Sequence, residues 1–307
     1  MTPHGESATI LTAFNPVDNS YLTGLLAHPP AAHQTLSGRA RKLVRRLMQR
    51  FQNKVVCITG SGSGMGRIAA LRFASEGAVI AGADLNLTGN QVTQELVQAA
   101  GGSMFIGSAV DLTDAIATEA WMKSVVSTLG RIDVLYANAG ATKFSPIEET
   151  TPEEWHWVLQ RELDLTFFPV KYAWDALKAS RGNIVLVGST AGMRGSMTNT
   201  RVAHSVTKGG TIAMMQQLAA EGAVHGIRAN AVSPGMIRTP ATEADLLARD
   251  HPMREIAKAI PLQRIGVPEE VVNCTLFLAS DEASYVTGVN LPVDGGWTSV
   301  LPGYGVI

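Results

Sequence analysis

The sequence has very little cysteine. Its 307 residues include two cysteines, Cys57 and Cys274, which lie in separate apolar segments and belong to no CxxC or Cys/His cluster. This pattern excludes a disulfide framework and a cysteine-based metal site. Both residues are therefore predicted to be small buried hydrophobes in a reducing compartment, and we expect a cytoplasmic location.

A charge excess of one sign and long apolar runs are also missing. The formal net charge is -1, so no overall basic surface is available for nucleic acid. No apolar run approaches the ~18 residues that cross a bilayer, and the first residues do not resemble a secretory signal. We expect neither a nucleic-acid partner nor a membrane span. The remaining composition, 46% hydrophobic with 30 glycines, is typical of a globular protein with a sizeable core.

The first 52 residues differ from the rest of the chain. Residues 1 to about 38 lack periodicity and are predicted to be irregular. Residues 39–50 carry apolar side chains at i, i+3 and i+4 spacing and form a predicted amphipathic helix with a basic face. This helix could bind a membrane surface or act in targeting, could pack on the protein or a neighbouring subunit, or could precede a true start at Met48. We favour the last two of these explanations over membrane binding or targeting. The predicted organisation is an extension over 1–52 and one domain over 53–307.

From Lys54 onward, short apolar strands alternate with helices. This alternation predicts a parallel sheet covered on both faces. Right-handed crossovers then give an α/β, doubly wound fold of the Rossmann type. A single long helix is predicted over 152–179 and another helix over 206–225.

A glycine-rich turn follows the first predicted strand. The segment TGSGSGMG at 59–66 does not fit GxGxxG but fits TGxxxGxG. Glycines let the backbone approach a pyrophosphate, and the helix that follows offers free N–H groups to its charge. The position between a strand and a helix therefore predicts a dinucleotide site. Its predicted contacts are Gly60, Ser63, Gly64, Met65 and Gly66.

Asp84 lies at the end of the second predicted strand, where a carboxylate can accept hydrogen bonds from the adenosine ribose. A carboxylate also repels a 2′-phosphate, and Ser63 provides no basic side chain for one. Both features favour NAD over NADP as the cofactor. Leu85, which follows Asp84, is also predicted to contact the cofactor. The alternative for Asp84 is an ordinary helix N-cap.

Seven sequence blocks, in order and at matching intervals, resemble the short-chain dehydrogenase/reductase family. The resemblance covers about residues 53 to 300 and implies a seven-stranded sheet and, commonly, a homotetramer. It also implies adenine contacts at Asp111 and Leu112. The blocks are TGSGSGMG at 59–66, AVDLTD at 109–114, ANAG at 137–140, VGSTAG at 187–192, AVSPGMIRTP at 231–240, IPLQRIGVPEE at 260–270 and VDGG at 293–296.

Further cofactor contacts follow from the same resemblance. Residues of the ANAG block are expected to pack near the cofactor, and residues of the block at 231–240 are expected to border the nicotinamide. These residues are Asn138, Ala139, Gly140, Pro234, Gly235, Ile237 and Thr239.

The catalytic positions depart from the family pattern at two places. Members use Ser, Tyr and Lys, supported by an Asn. Ser189 and Lys208 keep their positions, but His204 stands where the Tyr of YxxxK should be and Glu162 stands on the Asn position. The i, i+4 spacing places His204 and Lys208 on one helix face.

A histidine can still perform the proton transfer. Tyrosine, with an ordinary pKa near ~10, must be activated before it acts as a base, whereas histidine, near ~6.5, is already largely neutral at physiological pH. We therefore predict His204 as general acid/base, Glu162 as its orienting partner, Lys208 on the nicotinamide ribose and Ser189 on the substrate oxygen. The alternatives are an inactive or repurposed site and a solvated Glu162. A metal on His204 and Glu162 has no further ligand spacing, so no metal is expected.

The substrate is predicted to be a small, largely apolar secondary alcohol or ketone. Segment 240–262 follows the PG motif as a predicted lid and is rich in Leu, Ile and Met, while Arg194 could either bind a carboxylate or lie on the surface. Aromatic residues in the long helix suit a subunit interface. The leading hypothesis is an NAD-dependent dehydrogenase or reductase. An isomerase or lyase that retains NAD, and a non-catalytic NAD-binding protein, stay as alternatives.

Overall fold

Runs of β-branched and small apolar residues form a parallel sheet in the computed structural model, which describes residues 49–300. Seven strands pair in the order β3-β2-β1-β4-β5-β6-β7, all parallel. The predicted doubly wound, seven-stranded α/β fold is therefore confirmed. The strands are β1 Val55–Thr59, β2 Val79–Ala83, β3 Ser103–Ile106, β4 Val134–Ala137, β5 Asn183–Val187, β6 Arg228–Pro234 and β7 Asn290–Val293.

The strand order reverses around β1. Val56 pairs with Ile80 of β2 on one side and with Val134 of β4 on the other. The chain therefore winds outward in both directions from this point, and the loops at the carboxyl ends of β1 and β4 separate. In doubly wound sheets this crevice is where ligands bind.

Helices cover both faces of the sheet, which explains why the strands are apolar without alternation. One buried layer includes Trp121, Leu177 and Met215, and the other includes Phe73 and Leu276. The helices are α1 Gly64–Ser75, α2 Leu87–Ala99, α3 Ala115–Leu129, α4 Pro152–Leu159, α5 Leu165–Ser180, α6 Val202–Ala223, α7 Pro240–Ala244 and α8 Pro268–Ala279.

The predicted helix over 152–179 is present without a break, but it is not α-helical throughout. Helix α4 is followed by a π-helical turn over Gln160–Asp164, and α5 then continues the chain. The wider i→i+5 turn holds one extra residue, so the side chains after it are rotated relative to those before it. Within α5, Pro169 also lacks an N–H to donate to the carbonyl of Leu165.

Other bounds differ by a few residues. Helix α6 begins at Val202 rather than at 206, so both His204 and Lys208 lie within it. Strand β3 ends at Ile106, and residues 107–113 are irregular. Segment 240–262 contains α7 and a 3₁₀ helix over Pro252–Ala259.

The amino end of the described chain already packs on the core. The ring of Phe51 is fully buried, 4.7 Å from the ring of Phe73 in an edge-to-face arrangement, and Arg50 forms an ion pair with Glu76. The predicted domain boundary at 53 excludes both Arg50 and Phe51. Nearly all of the basic helix predicted at 39–50 lies outside the described residues. Across residues 49–300, no helix has both the length and the apolar character that a membrane crossing requires.

Candidate active site

In the glycine-rich turn after β1, two backbone segments pass very close to each other. Gly60 has φ +68° and Gly64 has φ +48°, both in the region that favours glycine. A Cβ added to Gly66 would lie 2.0 Å from the carbonyl oxygen of Gly60. The turn therefore closes directly on the start of α1. The N-cap of α1, Ser63, makes no side-chain cap, and the first turn holds no acidic residue, which leaves its N–H groups available to a phosphate.

Asp84 reaches from the end of β2 to the same turn. One carboxylate oxygen accepts a hydrogen bond from the Gly62 N–H at 2.8 Å, and the other accepts from the Asn86 N–H at 2.8 Å. A Cβ at Gly62 would approach the Asp84 carboxylate to 2.8 Å. These bonds fix the Asp84 side chain at the cleft. The N-cap of α2 is Asn86, so Asp84 is not the helix cap that the alternative proposed.

These residues line a cleft of about 390 Å³ at the carboxyl ends of the strands. Most of the cofactor contacts predicted from sequence meet in this cleft. Gly66 lies beneath it against Gly60, and Gly235 packs on Asp294. Pro234 and Ile237 are buried, and like Gly235 they do not line the cleft. The predicted residues in the cleft are Gly60, Ser63, Gly64, Met65, Asp84, Leu85, Asp111, Leu112, Asn138, Ala139, Gly140 and Thr239.

Several cleft residues were missed by the sequence reasoning. Arg161 brings a cation into the cleft, and its guanidinium lies 5.0 Å from the Trp157 ring centroid. The Thr113 hydroxyl donates a 2.7 Å hydrogen bond to Asp111. That bond, and further off the charge of Arg161, hold the pKa of the Asp111 carboxyl below its ordinary value. Arg161 stands next to Glu162 in the sequence, and this position was the one signal that could have placed it near the site. Arg161 lies within the π-helical turn, which the sequence did not predict.

The catalytic residues predicted on α6 meet the π-helical turn. The Nδ1 atom of His204 lies 2.8 Å from Oε1 and 2.9 Å from Oε2 of Glu162. Glu162 is 2% exposed. An ionised carboxylate only accepts hydrogen bonds, so the Nδ1 atom donates and the Nε2 atom is left to accept a proton. The ring of Phe144 packs edge to face on the His204 ring, with the ring centroids 5.6 Å apart.

Two further side chains of α6 contact the same carboxylate. The hydroxyl of Thr207, which the sequence reasoning missed, donates to Oε2 of Glu162 at 2.5 Å. The ammonium of Lys208 lies 3.7 Å from Oε1 and donates to the Val187 carbonyl at 3.0 Å. A Cβ at Gly140 would lie 3.9 Å from this ammonium. Lys208 therefore stands between the buried carboxylate and the cleft.

These neighbours decide the charge of Glu162. Burial alone would raise the pKa of its carboxyl, because the charged form loses water. The hydrogen bond from His204, the positive charge of Lys208 and the Thr207 hydroxyl act in the opposite direction and prevail. The pKa of Glu162 therefore lies below its ordinary value, and the residue is ionised at neutral pH.

Ser189 begins the short 3₁₀ turn Thr190–Gly192 after β5, where its Oγ accepts a hydrogen bond from the Ala191 N–H at 3.1 Å. A Cβ at Gly192 would lie 2.5 Å from the backbone of Lys208. The turn therefore packs directly on α6. This close approach brings the end of β5 against the helix that carries His204 and Lys208.

The residues of the cleft fit a nicotinamide dinucleotide. The free N–H groups at the start of α1 suit a pyrophosphate, and the fixed carboxylate of Asp84 suits a ribose diol. Within the described chain, the Oδ1 atom of Asn138 is buried at the cleft without a hydrogen-bond partner. A bound molecule with a hydrogen-bond donor at this point would satisfy that acceptor.

Comparison with known proteins agrees with this geometry. The family model described as enoyl-(acyl carrier protein) reductase matches residues 60–298. A meso-2,3-butanediol dehydrogenase of Serratia marcescens is 36% identical over 255 residues, which cover 81% of this chain and 96% of that protein.

Two further similarities extend the comparison. A cyclohexanol dehydrogenase of Acinetobacter sp. (strain SE19) is 34% identical over 255 residues, covering 82% of this chain and 98% of that protein. The crystal structure of a short-chain type dehydrogenase/reductase from Mycobacterium marinum superposes with a TM-score of 0.77 at 29% identity. The match covers 83% of this chain and 100% of that one.

Proposed function

The chain belongs to the short-chain dehydrogenase/reductase family, and from this premise we propose that it is an NAD-dependent oxidoreductase that interconverts a secondary alcohol and a ketone. The observation that carries the proposal is the buried Glu162–His204 pair beside the dinucleotide cleft. The relatives are named as dehydrogenases of a butanediol and of cyclohexanol. These names favour redox chemistry over the isomerase, lyase and non-catalytic alternatives.

His204 moves the proton in this proposal. In oxidation, Nε2 accepts the proton of the substrate hydroxyl, and in reduction the imidazolium returns a proton to the ketone oxygen. The ionised Glu162 holds Nδ1–H in place and stabilises the imidazolium that forms. Because Glu162 also accepts from Thr207, its carboxylate is fixed before the reaction begins.

Ser189 and Lys208 complete the proposed site. The Ser189 hydroxyl positions the substrate oxygen. Lys208 binds the nicotinamide ribose, and its charge favours the ionised form of Glu162. A bound NAD supplies the hydride acceptor in oxidation, and its reduced form supplies the donor. The glycine turn, Asp84 and the ANAG segment would hold that cofactor.

NAD is the proposed cofactor because Asp84 faces the place where a 2′-phosphate would lie, and Ser63 offers that phosphate no cation. Arg67 does not supply one, because its guanidinium donates to backbone carbonyls of Gly62 and Gly89 and to the Thr93 hydroxyl. A carboxylate close to a phosphate is repulsive. We also propose a homotetramer, by family resemblance, and a cytoplasmic location.

The test is an assay of nicotinamide reduction with NAD and a panel of secondary alcohols that includes cyclohexanol and 2,3-butanediol. We expect NAD to be reduced faster than NADP. His204→Gln should lower kcat by about 100-fold or more, because the transferred proton loses its acceptor. His156→Gln, which changes an exposed histidine on α4, is the matched control and should keep full activity.

Two results would overturn the proposal. One is the absence of nicotinamide oxidation and reduction in both directions across the panel. The other is a His204→Gln protein that is as active as the control. A parallel assay with Asp84→Ser isolates the cofactor preference, which should shift toward NADP.

A further inference from the structure

A second cavity, of about 310 Å³, lies between the loop that follows Ser189 and the 3₁₀ helix Pro252–Ala259. We propose that this cavity binds a carboxylate of the substrate, through Arg201 and Arg194. The inference rests on the proposed dehydrogenase function and names its substrate class. The substrate would be a hydroxy acid or oxo acid with a short apolar chain, rather than the wholly apolar alcohol expected from the sequence.

Arg201 is the main reason for this proposal. Its side chain is half-buried, and its Nε atom is buried without a hydrogen-bond partner among the described residues. Its one hydrogen bond there is a long one, 3.4 Å, to the Arg194 carbonyl. No carboxylate in residues 49–300 forms an ion pair with it. A buried N–H group without an acceptor is costly, and a bound carboxylate would supply the acceptor that Nε lacks.

The other walls of the cavity suit the same ligand. Arg194 is exposed at its edge, and among the described residues it donates only to the adjacent Met193 carbonyl, so its guanidinium can turn toward an anion. Ser196, Thr198 and Thr298, which carry hydroxyl groups, also line the cavity, and no acidic residue of the described chain does. Two arginines with neighbouring hydroxyls are the groups that bind a planar carboxylate well.

The cavity adjoins the catalytic residues. Thr190, which lines it, follows Ser189 directly. Arg201 is the N-cap of α6, and its carbonyl accepts from the Ser205 N–H at 2.8 Å. His204 is three residues further along the helix, an axial distance of about 5 Å. In this proposal the carboxylate lies in the cavity on Arg201 and the hydroxyl lies at His204. Trp297 and Ile256 provide apolar surface for the carbons between the two groups.

The first experiment compares 3-hydroxyhexanoate with its methyl ester as substrates, using NAD. The ester keeps the hydroxyl and the chain but lacks the charge. We expect kcat/KM for the acid to exceed that for the ester by about 10- to 100-fold, the usual size of a charge-assisted hydrogen bond. Equal values for acid and ester would overturn the inference.

Variants separate the arginines from general effects on the fold. Arg201→Gln should reduce kcat/KM for the acid far more than for the ester, so that their ratio approaches one, and Arg194→Gln should have a smaller effect of the same kind. Arg181→Gln is the control, because Arg181 is exposed before β5 at the opposite end of the strands. An Arg201→Gln protein that keeps the wild-type acid-to-ester ratio would overturn the inference.

A binding measurement distinguishes this inference from the proposed function. Calorimetric titration of the NAD-loaded protein with hexanoate and with hexanamide requires no turnover. Tighter binding of hexanoate, lost in Arg201→Gln, supports the carboxylate site even if no alcohol is oxidised. Equal binding of both probes counts against the site, while turnover of neutral alcohols would still leave the dehydrogenase function standing.

Discussion

Glu162 and His204 depend on each other at the scale of single residues. The carboxylate is buried, and it is ionised because His204, Lys208 and Thr207 surround it. In return, it fixes which imidazole nitrogen carries the proton. Both departures from the family pattern, the Glu at 162 and the His at 204, were visible in the sequence, because each stands at a position that the pattern assigns to the active site. Their hydrogen bond could not be predicted, because 42 residues separate them and only the packing of α6 on the π-helical turn joins them.

Glu162→Gln should lower both activity and stability in a way that depends on pH. The folded-state pKa of Glu162 is depressed, so its contribution to stability is complete above the ordinary carboxyl pKa of about 4.3 and is lost as pH falls through the lower folded value. We expect the difference in Tm between wild type and Glu162→Gln to be largest near neutral pH and to shrink in acid.

Scanning calorimetry across this acid range checks the prediction. Glu221→Gln, an exposed position on α6, should show no such trend. A Tm difference for Glu162→Gln that is constant with pH would contradict the assigned ionisation.

At the scale of elements, the conformation at the start of α1 depends on the close approach of two backbone segments, at Gly60 and at Gly66. The spacing of the glycines predicted this turn, because a positive φ or a close backbone approach requires glycine at these positions. The π-helical turn had no comparable local signal. It depends on how α4 and α5 both pack, and a continuous helix fits the same residues on periodicity alone. Prediction was therefore accurate for the turn and for the extent of the long helix, but it missed the π-helical turn within that helix.

Gly66→Ala should damage this element. The added Cβ would meet backbone atoms of Gly60 at 2.0 and 2.7 Å, and backbone atoms cannot rotate away as a side chain can. We expect a loss of about 1–3 kcal/mol in the free energy of unfolding, together with weaker NAD binding. Urea denaturation and NAD titration measure the two effects.

Gly107→Ala is the matched control, because an added Cβ there would meet nothing within 4 Å. Similar NAD affinity for Gly66→Ala and Gly107→Ala would show that the close approach at α1 does not shape the cofactor site.

At the scale of the whole molecule, two apolar layers cover the sheet, and each layer draws on residues far apart in sequence. Phe51 belongs to one of them although it precedes the first strand. The predicted boundary at 53 followed the start of regular alternation. Burial of Phe51 depends on Phe73 of α1, which no local pattern around residue 51 reveals.

Phe51→Ala should cost about 3–5 kcal/mol in the free energy of unfolding, the usual loss for a fully buried phenylalanine. Phe277→Ala changes a phenylalanine that is 40% exposed on α8 and should cost clearly less. Urea denaturation of the two variants makes the comparison. Equal, small losses would mean that the folded domain begins at 53, as the sequence predicted.

The sequence by itself determined the order of strands and helices, the glycine turn, the acidic residue after β2 and the altered residues at the catalytic positions. Each of these follows from local spacing and side-chain chemistry. The tertiary structure alone decided that Glu162 points inward to His204, that Arg161 enters the cleft and that the Nε atom of Arg201 is buried without a partner among residues 49–300. These features are set by contacts between distant segments, whose geometry the order of residues does not contain.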